Sequence, residues 1–176
     1  ATTLDGGTVA TGSFDYSTGN LTFTSGLIEA SGALSNLPTI ASGMTIDLSS
    51  GGSLATATTL DGGAFTVGAF DLSTGNLTFT SGLIEASGAL SNLPGIGSGM
   101  TVDLTAGGTL ATSSTLDGGS LNTADFDATN HTFTAGTLTI SGTLSNFNNG
   151  SAGQTVVLDG GTWSPTGSID AIDTTV

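Results

Sequence analysis

The chain contains no lysine and no arginine. Nothing in it can neutralise phosphates and release counterions, so nucleic acid is not a partner. A polybasic contact to anionic lipid is excluded for the same reason. So is chemistry that needs a lysine Schiff base, a P-loop lysine or an arginine clamp. Cysteine is also absent, which removes disulfides, thiolate zinc sites and thiol nucleophiles. Aromatic residues make up only 6% and charged residues only 8% of the chain. The sequence shows neither a basic n-region followed by an apolar core nor a run of about 20 apolar residues, so no secretory signal and no membrane insertion is read. The chain opens inside a repeat, as a mature product or an excised piece would.

What remains is small, hydroxylated and acidic. The 176 residues include 29 Gly, 33 Thr and 22 Ser, with 14 carboxylates giving a formal charge of −14. Apolar residues are 36% and the mean hydropathy is +0.28, too high for a chain that stays disordered. A surface covered by Ser, Thr, Asn and Gly fits a secreted or cell-surface protein.

Self-similarity dominates. Thr3-Leu4-Asp5-Gly6-Gly7 returns at Thr59 and again at Thr115, the same step each time. Residues 1–56 and 57–112 agree at 44 of 56 positions, and Ser17–Pro38 is identical to Ser73–Pro94. A third copy, 113–166, is diverged. Phe126 lies 56 after Phe70, but Phe133 lies only 54 after Phe79, so two residues are missing from a loop between them. A partial fourth copy is expected from Leu158-Asp159-Gly160-Gly161 to residue 176. No linker separates the copies, and a 56-residue unit with few large side chains is marginal alone. One continuous repeat domain over 1–176 is expected, each copy burying its faces against the next.

Each copy divides into three segments, Thr2–Gly19, Asn20–Pro38 and Thr39–Ala57 in the first. Leu21-Thr22-Phe23-Thr24 and Met44-Thr45-Ile46-Asp47-Leu48 alternate apolar with polar at strand period. The Gly-Gly pairs at 6–7, 51–52, 62–63, 107–108, 118–119 and 160–161 are expected at corners. Glycine and Ser-Gly interrupt every stretch long enough for a helix. The pattern predicts an all-β, parallel β-solenoid with about three coils per repeat and little or no helix. Nine or so coils at about 4.8 Å each would make a rod on the order of 45 Å. The rival is an antiparallel sandwich with a hairpin such as Phe14–Phe23.

Strings such as "GNLTFTSGLIEASGAL" and "DLTAGGTLATSSTLDGG" resemble the passenger repeats of bacterial autotransporters and filamentous-haemagglutinin-like adhesins. The resemblance runs over nearly the whole chain and rests on composition and period. It implies a secreted right-handed β-helix used as stalk, adhesin or surface fibre. The chain departs from those families in its total lack of basic residues and its regular 56-residue period.

Several residues are candidate sites. Asp5, Asp61, Asp117 and Asp159 recur before Gly-Gly, and Asp15, Asp71 and Asp127 recur after Phe. With turn carbonyls such carboxylates can ligate Ca²⁺; the alternative is that Asp favours corners by bonding local backbone. Asn20, Asn76 and Asn130 each open an Asn-x-Thr triplet, the acceptor for N-glycosylation, or else a turn Asn before a strand Thr. His131, the single histidine, lies in the shortened loop near Asp125 and Asp127 and is expected to be a surface residue. No catalytic residue and no resident cofactor other than Ca²⁺ is expected. The triplets Thr22-Phe23-Thr24, Thr78-Phe79-Thr80 and Thr132-Phe133-Thr134 present paired hydroxyls, the raw material of an ice-binding face.

The expected function is structural: a secreted solenoid that stacks end to end with copies of itself into a filament, sheath or adhesin shaft. The alternatives are a monomeric adhesin rod that binds a glycan or host protein, and an ice-binding solenoid.

Overall fold

The computed structural model describes residues 2–18, 20–147 and 152–164. They contain strands and turns and no helix. All strand pairs are parallel. The chain winds through about eight turns of roughly 19 residues as a β-solenoid. Thr2 pairs with Leu21, Gly26 with Met44 and Thr45 with Ala64, one coil apart each time, so a 56-residue copy makes three coils. At about 4.8 Å per stacked strand the described coils make a column on the order of 40 Å long.

One sheet runs the whole length. Its strands include Thr2–Thr11, Leu21–Ala30, Met44–Asp47 and Thr58–Val67 in the first four coils, and Gln154–Leu158 in the last. The second face consists of three separate three-stranded ladders, one per copy. Phe14–Asp15, Ala33–Ser35 and Ser53–Leu54 form the first. Phe14 therefore pairs with Leu34 in parallel, and the Phe14–Phe23 hairpin does not form.

Burial follows strand alternation. One inward column holds Val9, Ile28, Ile46, Phe65, Ile84, Val102, Leu121, Leu138 and Val156, each in register with the next. From Ile28 to Leu138 these side chains are at most 1% exposed. Burying each contributes about 1.5–3 kcal/mol before entropy is charged.

The Gly-Gly pairs fall into two groups. Gly51-Gly52, Gly107-Gly108 and Gly160-Gly161 lie at turns or bends, as expected of corners. Gly6-Gly7, Gly62-Gly63 and Gly118-Gly119 lie inside long strands, where the register slips against the next coil. They are bulges rather than corners. At the second of them Gly62 has φ +89°, and Gly82 on the neighbouring strand has φ +104° and lies against the Gly63 carbonyl.

Leu158 also lies elsewhere than expected. It pairs with Ile140, and a Cβ on Gly161 would meet the Ile140 carbonyl just as one on Gly108 would meet that of Ala86. Leu158-Asp159-Gly160-Gly161 thus completes the third coil of the third copy, in the place of Leu104 to Gly108. The Leu-Asp-Gly-Gly string is shared, but register assigns it to a different corner. Most of the expected fourth copy, with the acidic Ile169–Asp173 stretch, lies outside the described residues.

These contacts order the cost of glycine replacement. Gly82→Ala combines a left-handed φ with a collision against backbone, whereas Gly6→Ala has φ +77° and open space. Gly82→Ala is expected to lower unfolding free energy by about 1–3 kcal/mol more than Gly6→Ala, measured by urea denaturation. Equal costs would refute the buried-bulge packing.

Candidate functional site

Each copy closes one corner with the same side-chain latch. Asp15 Oδ1 accepts from Ser17 N–H (2.8 Å), Ser17 Oγ–H (2.8 Å) and Asn36 Nδ2–H (2.9 Å). Asp71 Oδ1 accepts from Ser73 N–H (2.9 Å), Ser73 Oγ–H (2.8 Å) and Asn92 Nδ2–H (2.9 Å). Asp127 Oδ1 accepts from Thr129 N–H (2.9 Å), the Thr129 hydroxyl and Asn146 Nδ2–H (2.7 Å). The asparagines take the left-handed conformation, φ 54°, 52° and 56°, which Asn tolerates better than most residues. The N–H of Asn36 and of Asn92 donates to a Thr hydroxyl one coil further, Thr56 and Thr112. The latch thus spans three coils.

The amide of Asn36 foremost, then Ser17, holds the Asp15 carboxyl below its usual value of 3.8. Asn92 and Ser73 do the same for Asp71, and Thr129 and Asn146 for Asp127. Local bonding thus occupies one oxygen of each of these three Ca²⁺ candidates. The asparagines were not singled out from the sequence, although each stands near its Asp in the neighbouring copy-internal coil, in the recurring Leu-Ser-Asn at 34–36, 90–92 and 144–146.

Asp5, Asp61 and Asp117 lie on the glycine bulges and are exposed. Each accepts one hydroxyl from the next coil: Ser25 (2.9 Å), Ser81 (2.7 Å) and Thr134 (2.8 Å). Asp159 belongs to another corner, as its register shows. Equivalent members stand three coils apart, about 14 Å, and among the described residues no three acidic or His side chains converge on one point.

A second acidic pattern was missed. Outward from the long sheet run Ala10, Glu29, Asp47, Thr66, Glu85, Asp103, Asn122, Thr139 and Val157, each in register with its neighbour. Glu29 faces Asp47 and Glu85 faces Asp103, an arrangement that repels when both are charged. Thr66 Oγ1–H donates to Glu85 Oε2 (3.1 Å). Desolvation raises the Asp103 carboxyl, but Thr105 and Asn122 outweigh it and leave it below its usual value. Single-sequence reading cannot see such pairs, because the two acids are a full coil apart along the chain and only the coil length brings them together.

Asn20, Asn76 and Asn130 are all exposed. Asn76 Nδ2–H donates to the Leu54 carbonyl (3.0 Å), so its amide is engaged, at φ 59°. The Thr triplets do not present free pairs of hydroxyls. Thr24 and Thr80 each donate to a backbone carbonyl of the preceding coil, Leu4 and Leu60 (both 2.9 Å).

His131 is half-buried rather than a free surface residue. It lies 5.3 Å from the Phe126 ring and its Nδ1 is 3.1 Å from Ser114 Oγ. Burial pushes the imidazole below its ordinary value, with Asp127 pulling back. The loss of two residues places His131 where the other copies carry an aliphatic chain. Beside it opens a cleft of about 650 Å³ lined by Asp125, Asp127, Thr143 and Ser145. Asp125 Oδ1 accepts the Thr143 N–H (2.7 Å), as Ser13 Oγ does for Ala33 (3.0 Å). The corresponding corner of the first copy holds Tyr16, whose Oη is buried without a partner and whose phenol burial pushes up to about 12.

The first coil is less covered than the equivalent coil of the second copy. Thr2, Gly7 and Thr11 are exposed or half-buried, whereas Thr58, Gly63 and Val67 at the same positions of the second copy are buried. Val9 is half-buried where Phe65 is 0% exposed. In the second copy the Met44–Asp47 strand supplies the cover.

The latch sets an acid limit. Carboxyls held below 3.8 when folded stabilise the fold above that value, and the contribution is lost as pH falls through their folded values. The melting temperature is expected to fall from about pH 4 down to about pH 2. A triple Asp15→Asn, Asp71→Asn, Asp127→Asn variant should melt lower at neutral pH and change less on acidification. An undiminished acid-induced drop in that variant would count against the latch. No family model, no curated protein and no solved structure matches this chain.

Proposed function

We propose that the chain is a structural subunit of a secreted filament, sheath or adhesin shaft, built by end-to-end stacking of solenoids. The observation that supports this is the contact between copies: the last coil of one copy pairs in parallel with the first strand of the next, Thr45 with Ala64 and Thr101 with Ser120, a junction that near-identical copies can repeat between subunits.

Composition supports a durable outer location. Without Lys or Arg the chain offers trypsin no cleavage site. A second reading, a monomeric adhesin rod, is favoured by the cleft beside His131, the place where the third copy departs from the other two.

The charge of −14 opposes association through self-repulsion. Lowering pH from about 8 to about 4, or adding Ca²⁺ to screen the carboxylates, is expected to raise light scattering and to give filaments in negative stain. Short rods of constant length under all these conditions would overturn the filament and leave the adhesin.

A further inference from the structure

We infer that the cleft beside His131 is a binding site for an amino sugar, a hexose ring carrying one free ammonium group; this deepens the adhesin reading and rests on it.

The cleft lies where two ladders of the second face fail to join. Thr109–Leu110 ends the ladder of the second copy, and Phe126–Asp127 begins that of the third. Thr109 and Ala111 donate their N–H groups to the carbonyls of Gly88 (3.2 Å) and Leu90 (2.9 Å) on the preceding coil. Leu110, between them, turns its own N–H and C=O the other way, toward the coil of Phe126. At the earlier copy boundary the same gap is closed. Leu54 stands where Leu110 does, and its carbonyl accepts the Asn76 Nδ2–H (3.0 Å). Gly75, in the same loop as Asn76, lies against the Phe70 ring.

Three departures of the third copy meet at this gap. Thr74-Gly75 has no counterpart between Thr129 and Asn130. The shortened loop leaves the gap unplugged, and among the described residues no side chain takes the place of Asn76 there. His131 stands in place of Leu77, and Asp125 in place of Ala69. The opening of about 650 Å³ falls in the range of small-ligand sites.

The groups around it select the ligand. Asp125 and Asp127, two apart on either side of the inward Phe126, project on the same side of the chain. Asp125 Oδ1 accepts the Thr143 N–H, and Asp127 Oδ1 takes all three latch donors. Among the described residues the second oxygen of each accepts no bond. With the Leu110 carbonyl they offer three acceptors, as many as one ammonium has donors. The chain has no Lys or Arg, so no ammonium or guanidinium of its own fills the place. Thr109, Thr143 and Ser145 add hydroxyls to the lining, more than a bare ammonium needs and suited to those of a sugar. No exposed aromatic face stands there to stack a neutral ring, since Phe126 is 3% exposed, so charge carries the affinity.

The single histidine supplies the readout, because its Cε1 proton is one NMR signal located at the cleft. Titrating the full chain with glucosamine at about pH 7 is expected to move that signal saturably, and rising NaCl to weaken binding. N-acetylglucosamine, which lacks the charge, and Nα-acetyl-lysine amide, which has the ammonium without the ring, are each expected to bind at least about tenfold more weakly. Asp125→Ser removes the charge but keeps an acceptor for the Thr143 N–H, as Ser13 serves Ala33 in the first copy (3.0 Å). It should keep the wild-type circular dichroism and lose at least about tenfold in affinity. A plugged variant, with Thr-Gly inserted after Thr129 and His131→Leu, restores the loop of the second copy and should give no binding heat in calorimetry. If glucosamine binds wild type but binds Asp125→Ser and the plugged variant equally well, the cleft is not the site and the adhesin reading stands with its site elsewhere. Equal binding of the acetylated sugar or of the lysine amide overturns the amino-sugar assignment. If none of the three binds, the proposal is overturned and the adhesin reading loses the cleft that favours it.

Discussion

Continuous parallel pairing from coil to coil is the constraint on which the rest depends. With no basic residue in the chain, no Lys or Arg ion pair contributes, and cohesion comes from backbone ladders and the inward apolar column. The column from Val9 to Val156 works only because each coil has nearly the same length. Coils of 17 to 19 residues keep every inward side chain above its predecessor. One residue too many would turn the strand's apolar set outward. Glycine bulges and Asp–Asn latches absorb the slack: the bulges take up extra residues within a strand, and the latches fix where each corner ends.

The same constraint explains the placement of charge. Carboxylates have no Lys or Arg to pair with here, so the corner aspartates are stabilised in their charged form by amide, hydroxyl and backbone donors. Asp15, Asp71 and Asp127 each hold three donors on one oxygen. The remaining acids project from the surface, where solvent screens them. This leaves the protein strongly charged around its girth and nearly uncharged along its first strand.

Much of the architecture was legible in the sequence, because a 56-residue period with two near-identical copies and a diverged third admits few folds besides a stack. Strand alternation around Phe23 and Ile46 was equally plain. The errors came where one string has two meanings. Leu-Asp-Gly-Gly is a bulge at Leu60 and a corner at Leu158, and a Gly-Gly pair reads alike in both. The identical dipeptide is sorted by whether the ladder with the adjacent coil continues past it, as it does at the bulges, and that coil is about 19 residues away in sequence. His131 was misjudged for a similar reason: the shortened loop looks like surface, yet removing two residues draws the imidazole in against Phe126.

The sequence by itself determined the class of fold and the coil length, since those follow from period and spacing alone. Tertiary structure decided which acids stand together and which glycines bear strain. Those properties belong to pairs of coils. They arise from register between residues a full coil apart along the chain, and a slip of a single residue would rearrange them all.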